Sequence, residues 1–93
     1  MIQDATVLSL AEGISFQPLG TGEGGVVLKI DSGRLFTCND TTSAFLAAVD
    51  GRRTFADLVR TVLDEFDVSE DDLRGDLVAL AGELAAKGIV RAQ

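Results

Sequence analysis

The 93-residue sequence contains no His, no Trp and no Tyr, and only one Cys and one Pro. Without His, the commonest general base and nitrogen ligand for metals at neutral pH is missing, and catalysis would have to rest on carboxylates, Lys or Cys38. Without Tyr or Trp there is no ring with a polar handle to stack on a base or anchor a sugar. A lone cysteine excludes an internal disulfide, so the fold depends on burying Leu, Val, Ile and Phe, as suits a reducing compartment. Bases are scarce as well. Eight Lys and Arg stand against 15 Asp and Glu, a formal charge of −7 that repels phosphate backbones and anionic lipid heads. No apolar run approaches the roughly 20 residues that span a bilayer, and residues 1–10 carry no base ahead of their apolar residues. These absences lead to the expectation of a soluble cytoplasmic chain that is not an enzyme, with no cofactor, no metal, and neither nucleic acid nor membrane as partner.

What is present is a chain 46% hydrophobic, enough for one core, so residues 1–93 are read as a single domain. From Ile14 to Cys38 the sequence is rich in glycine and β-branched or aromatic residues; from Asn39 onward it has four glycines and no proline in 55 positions. Strands precede helices. Ile14 to Leu19 reads as a first strand, ended by the glycine-rich run Gly20 to Gly25. Val26 to Ile30 reads as a second, with Val26, Leu28 and Ile30 on its apolar face. Asp31-Ser32-Gly33 reads as a three-residue hairpin loop with Gly33 left-handed. It sets Leu28 opposite Phe36 and Val26 opposite Cys38 on a third strand, whose Phe36 and Cys38 point inward and whose Arg34, Leu35 and Thr37 point outward.

Three helices follow. Asn39 or Asp40 caps a helix through Val49, with Gly51 just past its end. Thr54 and Asp57 form a short version of a capping box before the apolar stripe Leu58, Val59, Val62, Leu63 and Phe66. Ser69 caps the last helix, whose first turn holds Glu70, Asp71 and Asp72, whose buried face is Leu73, Leu77, Leu80 and Leu84, and which Gly88 ends before Ile89 and Val90 return to the core. The expected fold class is α+β, a three-stranded antiparallel sheet followed by three helices, similar to a winged helix-turn-helix. DNA binding is excluded because the helix that would enter the groove begins Glu70-Asp71-Asp72.

The glycine run lacks the Lys-Ser/Thr ending and following helix of a phosphate cradle, and Cys38 lacks a His to draw off its proton. Between Asp64 and Asp76 stand seven acids and one base, Arg74, a pattern that ordinarily marks a solvated face. Asp72, Asp76 and Glu83 nevertheless share one flank of the last helix and could receive a Lys or Arg from a bound segment. The third strand contains no Pro, Lys or bulge signal, so its outer edge offers unpaired N–H and C=O groups. Two occupants are open: a strand from a partner, whose side chains would drop against Leu77 and Leu80, or the chain's own residues 5–10. A self-pairing module that uses the same edge is the rival from another class.

From Leu28 to Val90 the chain resembles the PqqD-like family. The resemblance rests on Cys38-Asn39-Asp40-Thr41-Thr42, Asp50-Gly51-Arg52-Arg53-Thr54, Asp76-Leu77 and Lys87-Gly88-Ile89-Val90, in that order and spacing, with Cys38 where the family usually has Leu. It implies three strands followed by three helices. It also implies a recognition element that binds the leader of a ribosomally made precursor peptide and presents it to modifying enzymes, the leader adding as a strand to the third strand against the third helix. The likeness is greatest to free-standing members of lasso peptide clusters, whose partner is a separate leader peptidase. A member serving a radical enzyme in pyrroloquinoline quinone synthesis is the alternative. On this reading the peptide-binding residues are Arg34, Leu35, Phe36, Thr37 and Cys38 on the strand and Asp72, Asp76, Leu77, Leu80 and Glu83 on the helix.

Overall fold

The computed structural model describes residues 2–20 and 22–93; Met1, and Thr21 within the glycine run, lie outside the described residues. The elements run β1 (Leu8–Leu10), β2 (Ile14–Pro18), β3 (Gly25–Lys29), β4 (Arg34–Cys38), α1 (Asp40–Ala48), α2 (Phe55–Leu63), α3 (Glu70–Ala86) and β5 (Val90–Ala92). The expected meander is β2-β3-β4, antiparallel throughout, and three helices follow it.

Each helix begins where its capping side chain dictates. Asn39 Oδ1 accepts the Thr42 N–H at 2.9 Å and Ser69 Oγ accepts the Asp72 N–H at 3.2 Å. Thr54 and Asp57 exchange both bonds of a capping box despite the short acid. At the end of α3, Gly88 adopts φ +74° and lets the Ile89 N–H reach back to the Leu84 carbonyl at 2.9 Å. That reversal turns Ile89 and Val90 into the core, where each is 2% exposed. The core is completed by Phe45 of α1, Phe55, Leu58, Val59 and Val62 of α2, and Leu73, Leu77, Ala81 and Leu84 of α3. Phe45 and Phe55 meet edge to face with centroids 6.5 Å apart.

Three sequence expectations are corrected. The loop joining β3 to β4 spans Ile30 to Gly33, one residue longer than expected, because the Gly33 N–H closes on the Lys29 carbonyl at 2.8 Å with Gly33 at φ +70°. The extra residue moves the register by one, pairing Val27 with Phe36 and Gly25 with Cys38. The inward face of β3 is therefore Gly25, Val27 and Lys29, and Val26, Leu28 and Ile30 lie on the outer face, with Val27 2% and Ile30 63% exposed. The first strand of the meander stops at Pro18 rather than Leu19.

The N-terminal segment decides between the two occupants left open for the edge of β4. Residues 5–10 do not cover β4. Instead β1 pairs with β5, Leu8 opposite Ala92 and Leu10 opposite Val90, as a separate two-stranded ribbon. Thr6 and Asp4 accept from the N–H groups of Phe55 and Ala56, tying the segment to the start of α2. Leu8 becomes wholly buried as a result. Arg74 of α3 also bonds Asp4.

Candidate functional site

The outer edge of β4 has no strand beside it among the described residues. Ladder parity decides which of its groups are free. The Leu19 N–H donates to the Gly24 carbonyl and the Ile30 N–H to the Gly13 carbonyl, so Val26 and Leu28 of β3 bond toward β2. The alternate residues Gly25, Val27 and Lys29 then bond toward β4, to Cys38, Phe36 and Arg34. Leu35 and Thr37 are left with N–H and C=O groups aimed at solvent, and both side chains are exposed on the outer face. By the same parity the far edge, β2, directs the nitrogen of Pro18 outward, where its missing hydrogen blunts a second strand. The sheet thus has one blunted edge and one open edge.

The end of β4 is held by the β2–β3 loop. Gly24, at φ +70°, donates to Asp40 Oδ1 at 2.7 Å, and a Cβ at Gly24 would lie 2.0 Å from the Cys38 carbonyl oxygen. Only glycine fits there. This contact joins the loop to the first residue of α1, and so fixes β4 relative to the helices.

Between β4 and α3 runs a channel of three connected depressions. The first, about 230 Å³, is lined by Phe36, Thr37 and Cys38 and by Leu80, Glu83 and Leu84. The second, about 310 Å³, shares Leu80 and Glu83 with it and adds Asp76, Leu77 and the α1 start at Asn39 and Thr42. The third shares Asp76 and Thr41 with the second and adds Asp72, Phe66 and Val68. Each has room for one or two side chains. Val68, 50% exposed, supplies apolar surface at the α3 start, and Leu35, 63% exposed, does so on the outer face of β4.

The structure brings all ten sequence-expected site residues to this edge and channel, with three adjustments. Arg34 does not point outward with Leu35: it shares the inner face with Phe36 and Cys38, and its guanidinium carbon lies 5.4 Å from the Phe36 ring centroid. A regular strand cannot turn adjacent side chains to one face, and alternation with the inward Phe36 and Cys38 puts Arg34 on their side. Leu77 is wholly buried and contributes only floor, whereas Leu80 is half-buried and faces the channel, Ala81 taking the core position expected of it. Asp72 lies at the far end, away from β4. Asn39, Thr41, Thr42, Phe66, Val68 and Lys87 line the channel and were not expected there. Lys87, one turn after Glu83, is the one whose position was readable from helical spacing.

Cys38 forms part of the channel wall. Burial pushes its thiol up from the ordinary value, partly offset by a backbone hydrogen bond at Gly25, so the group is protonated at neutral pH and serves in packing. No cluster of three metal-ligating side chains occurs among the described residues. No helix among them is long and apolar enough to cross a membrane.

A family model described as coenzyme PQQ synthesis protein D (PqqD) matches residues 24–90. No curated protein matches the chain at a significant level. Three solved structures share its architecture. A lasso peptide synthetase B1 complexed with the leader peptide is 26% identical with a TM-score of 0.74, over 90% of this chain and 96% of that one. TbiB1 in complex with the TbiA(beta) leader peptide is 16% identical with a TM-score of 0.75, over 89% and 94%. The PqqD truncation of Methylobacterium extorquens PqqCD, a stand-alone recognition element for ribosomally synthesised and post-translationally modified peptides, is 22% identical with a TM-score of 0.77, over 98% and 95%.

Proposed function

This chain belongs to the PqqD family, and we propose that it is a recognition element for the leader segment of a ribosomally synthesised precursor, which it binds by strand addition to β4. The observation that carries the reading is the open edge of β4, where Leu35 and Thr37 present free N–H and C=O groups beside an apolar channel. Backbone pairing at such an edge supplies affinity without regard to sequence. The channel supplies the selectivity, taking alternate side chains of the added strand against Phe36, Leu80 and Leu84.

Two of the three similar structures are leader-peptide complexes, and one of these is a lasso peptide synthetase B1, which favours a lasso precursor over the pyrroloquinoline quinone precursor. In this role the chain hands its bound ligand to a separate leader peptidase or modifying enzyme. The test is calorimetric titration with the leader and, separately, the core of a short precursor encoded beside this chain. Saturable micromolar or tighter binding of the leader alone, about −8 kcal/mol or stronger, is expected. Absence of leader binding together with a concentration-dependent dimer would overturn the reading in favour of self-pairing through β4.

A further inference from the structure

We infer that the strand received at β4 carries a carboxylate side chain near the β3–β4 hairpin, held between Arg34 and Lys87 beside the Phe36 ring; the inference rests on the leader reading above. The chain has eight cations among fifteen acids. Arg53, Arg60 and Arg74 stand against Asp50, Asp57 and Asp4. Arg34 and Lys87 have no carboxylate within 4.0 Å among the described residues, yet they approach one ring from two elements, β4 and the end of α3. The Arg34 guanidinium carbon is 5.4 Å and the Lys87 Nζ 5.9 Å from its centroid.

Each cation taken alone has a bland explanation, Arg34 in its cation–π contact and Lys87 at a helix C-terminus. Their convergence does not, because like charges brought together repel. A third base stands close by. Lys29 donates to the Lys87 carbonyl at 3.1 Å, which engages it with the helix end and leaves Arg34 and Lys87 as the pair available to a ligand. Glu83 lines the same depression one turn earlier in α3 but makes no ion pair with Lys87.

The ladder parity sets the geometry. An added strand would exchange hydrogen bonds with Leu35 and Thr37, and its residues opposite Arg34 and Phe36 would face the channel in the closer, non-hydrogen-bonded positions, within about 4.5–5.5 Å Cβ to Cβ. A Glu or Asp there reaches the guanidinium and the ammonium together. At the other end of the channel Asp72 and Asp76 repel an acid. In an antiparallel addition, which continues the pattern of β2-β3-β4, the carboxylate therefore lies toward the C-terminal end of the paired segment.

The test uses fluorescence anisotropy with the fluorescein-labelled synthetic leader of the precursor encoded beside this chain, and a set in which each Asp or Glu is singly changed to Asn or Gln. Each peptide is titrated with the parent protein, with Arg34→Gln, with Lys87→Met and with the double variant. One amide replacement is expected to weaken binding to the parent about tenfold, and to have less than about a twofold effect on the double variant. Parent-leader binding that every neutralised peptide matches would overturn the inference and leave the leader reading standing. A loss that persists undiminished in the double variant would also overturn it. Failure of the parent leader to bind at all would overturn both.

Discussion

Replacing Thr37 by proline removes one hydrogen and tests the edge directly. The Thr37 N–H points away from β3 and makes no ladder bond within the chain, so the substitution breaks no internal hydrogen bond. Its cost to folding is confined to the mismatch between strand φ near −120 to −140° and the proline ring near −65°, on the order of 1 kcal/mol, which leaves a folded protein. Its cost to binding is larger. A leader carbonyl that faces position 37 loses its donor on a partly dried edge, about 1–2 kcal/mol and therefore roughly a five- to thirty-fold weaker Kd. Thr37→Val keeps the N–H and serves as the control, with affinity close to the parent. Calorimetry on both variants, after circular dichroism has shown a parent-like spectrum, gives the answer. A leader methylated at the backbone nitrogen opposite Thr37 loses its donor to the carbonyl at position 37, which proline keeps, and should therefore weaken binding to the parent and to the proline variant alike. A folded Thr37→Pro protein with unchanged affinity would refute strand addition at β4.

Two further perturbations follow from local geometry. Gly24→Ala puts a Cβ 2.0 Å from the Cys38 carbonyl oxygen at a residue with φ +70°, so it should destabilise the fold by roughly 1–3 kcal/mol and loosen β4. Thermal unfolding would show the first effect and amide exchange of residues 34–38 the second; a parent-like melting temperature would refute the close approach. Asp50 Oδ1 accepts the N–H groups of Arg52 and Arg53, each at 2.9 Å, and these bonds hold its carboxyl below the usual carboxylate value. A lowered folded-state pKa stabilises the fold above the unfolded value near 3.9, and the contribution is lost as pH falls through the folded pKa. Asp50→Asn should therefore lower the melting temperature at pH 7, with the gap to the parent closing below about pH 4. A gap that does not change with pH would refute that origin.

How much of the molecule could be read from its residues depended on the range of the interaction. The helix starts were legible because Asn39, Thr54 and Ser69 act on N–H groups three residues away, and the end of α3 because Gly88 acts on its immediate neighbours. The order of strands before helices and the inward placing of Phe36 and Cys38 were legible from composition and alternation. The register of β3 against β4 was not. It turned on whether the loop holds three or four residues, one carbonyl at Lys29 closing on Gly33, and a single residue reverses every side chain of β3.

The residues alone determined the α+β class, the caps, the acidic surface and a third strand with nothing in its sequence to guard it. Tertiary structure decided whether that strand stays open, because residues 5–10 had enough apolar character to cover it. Leu8 is fully buried between β5 and the start of α2, partners some 45 to 84 positions away, and no local pattern encodes a choice between two distant places to bury the same side chain.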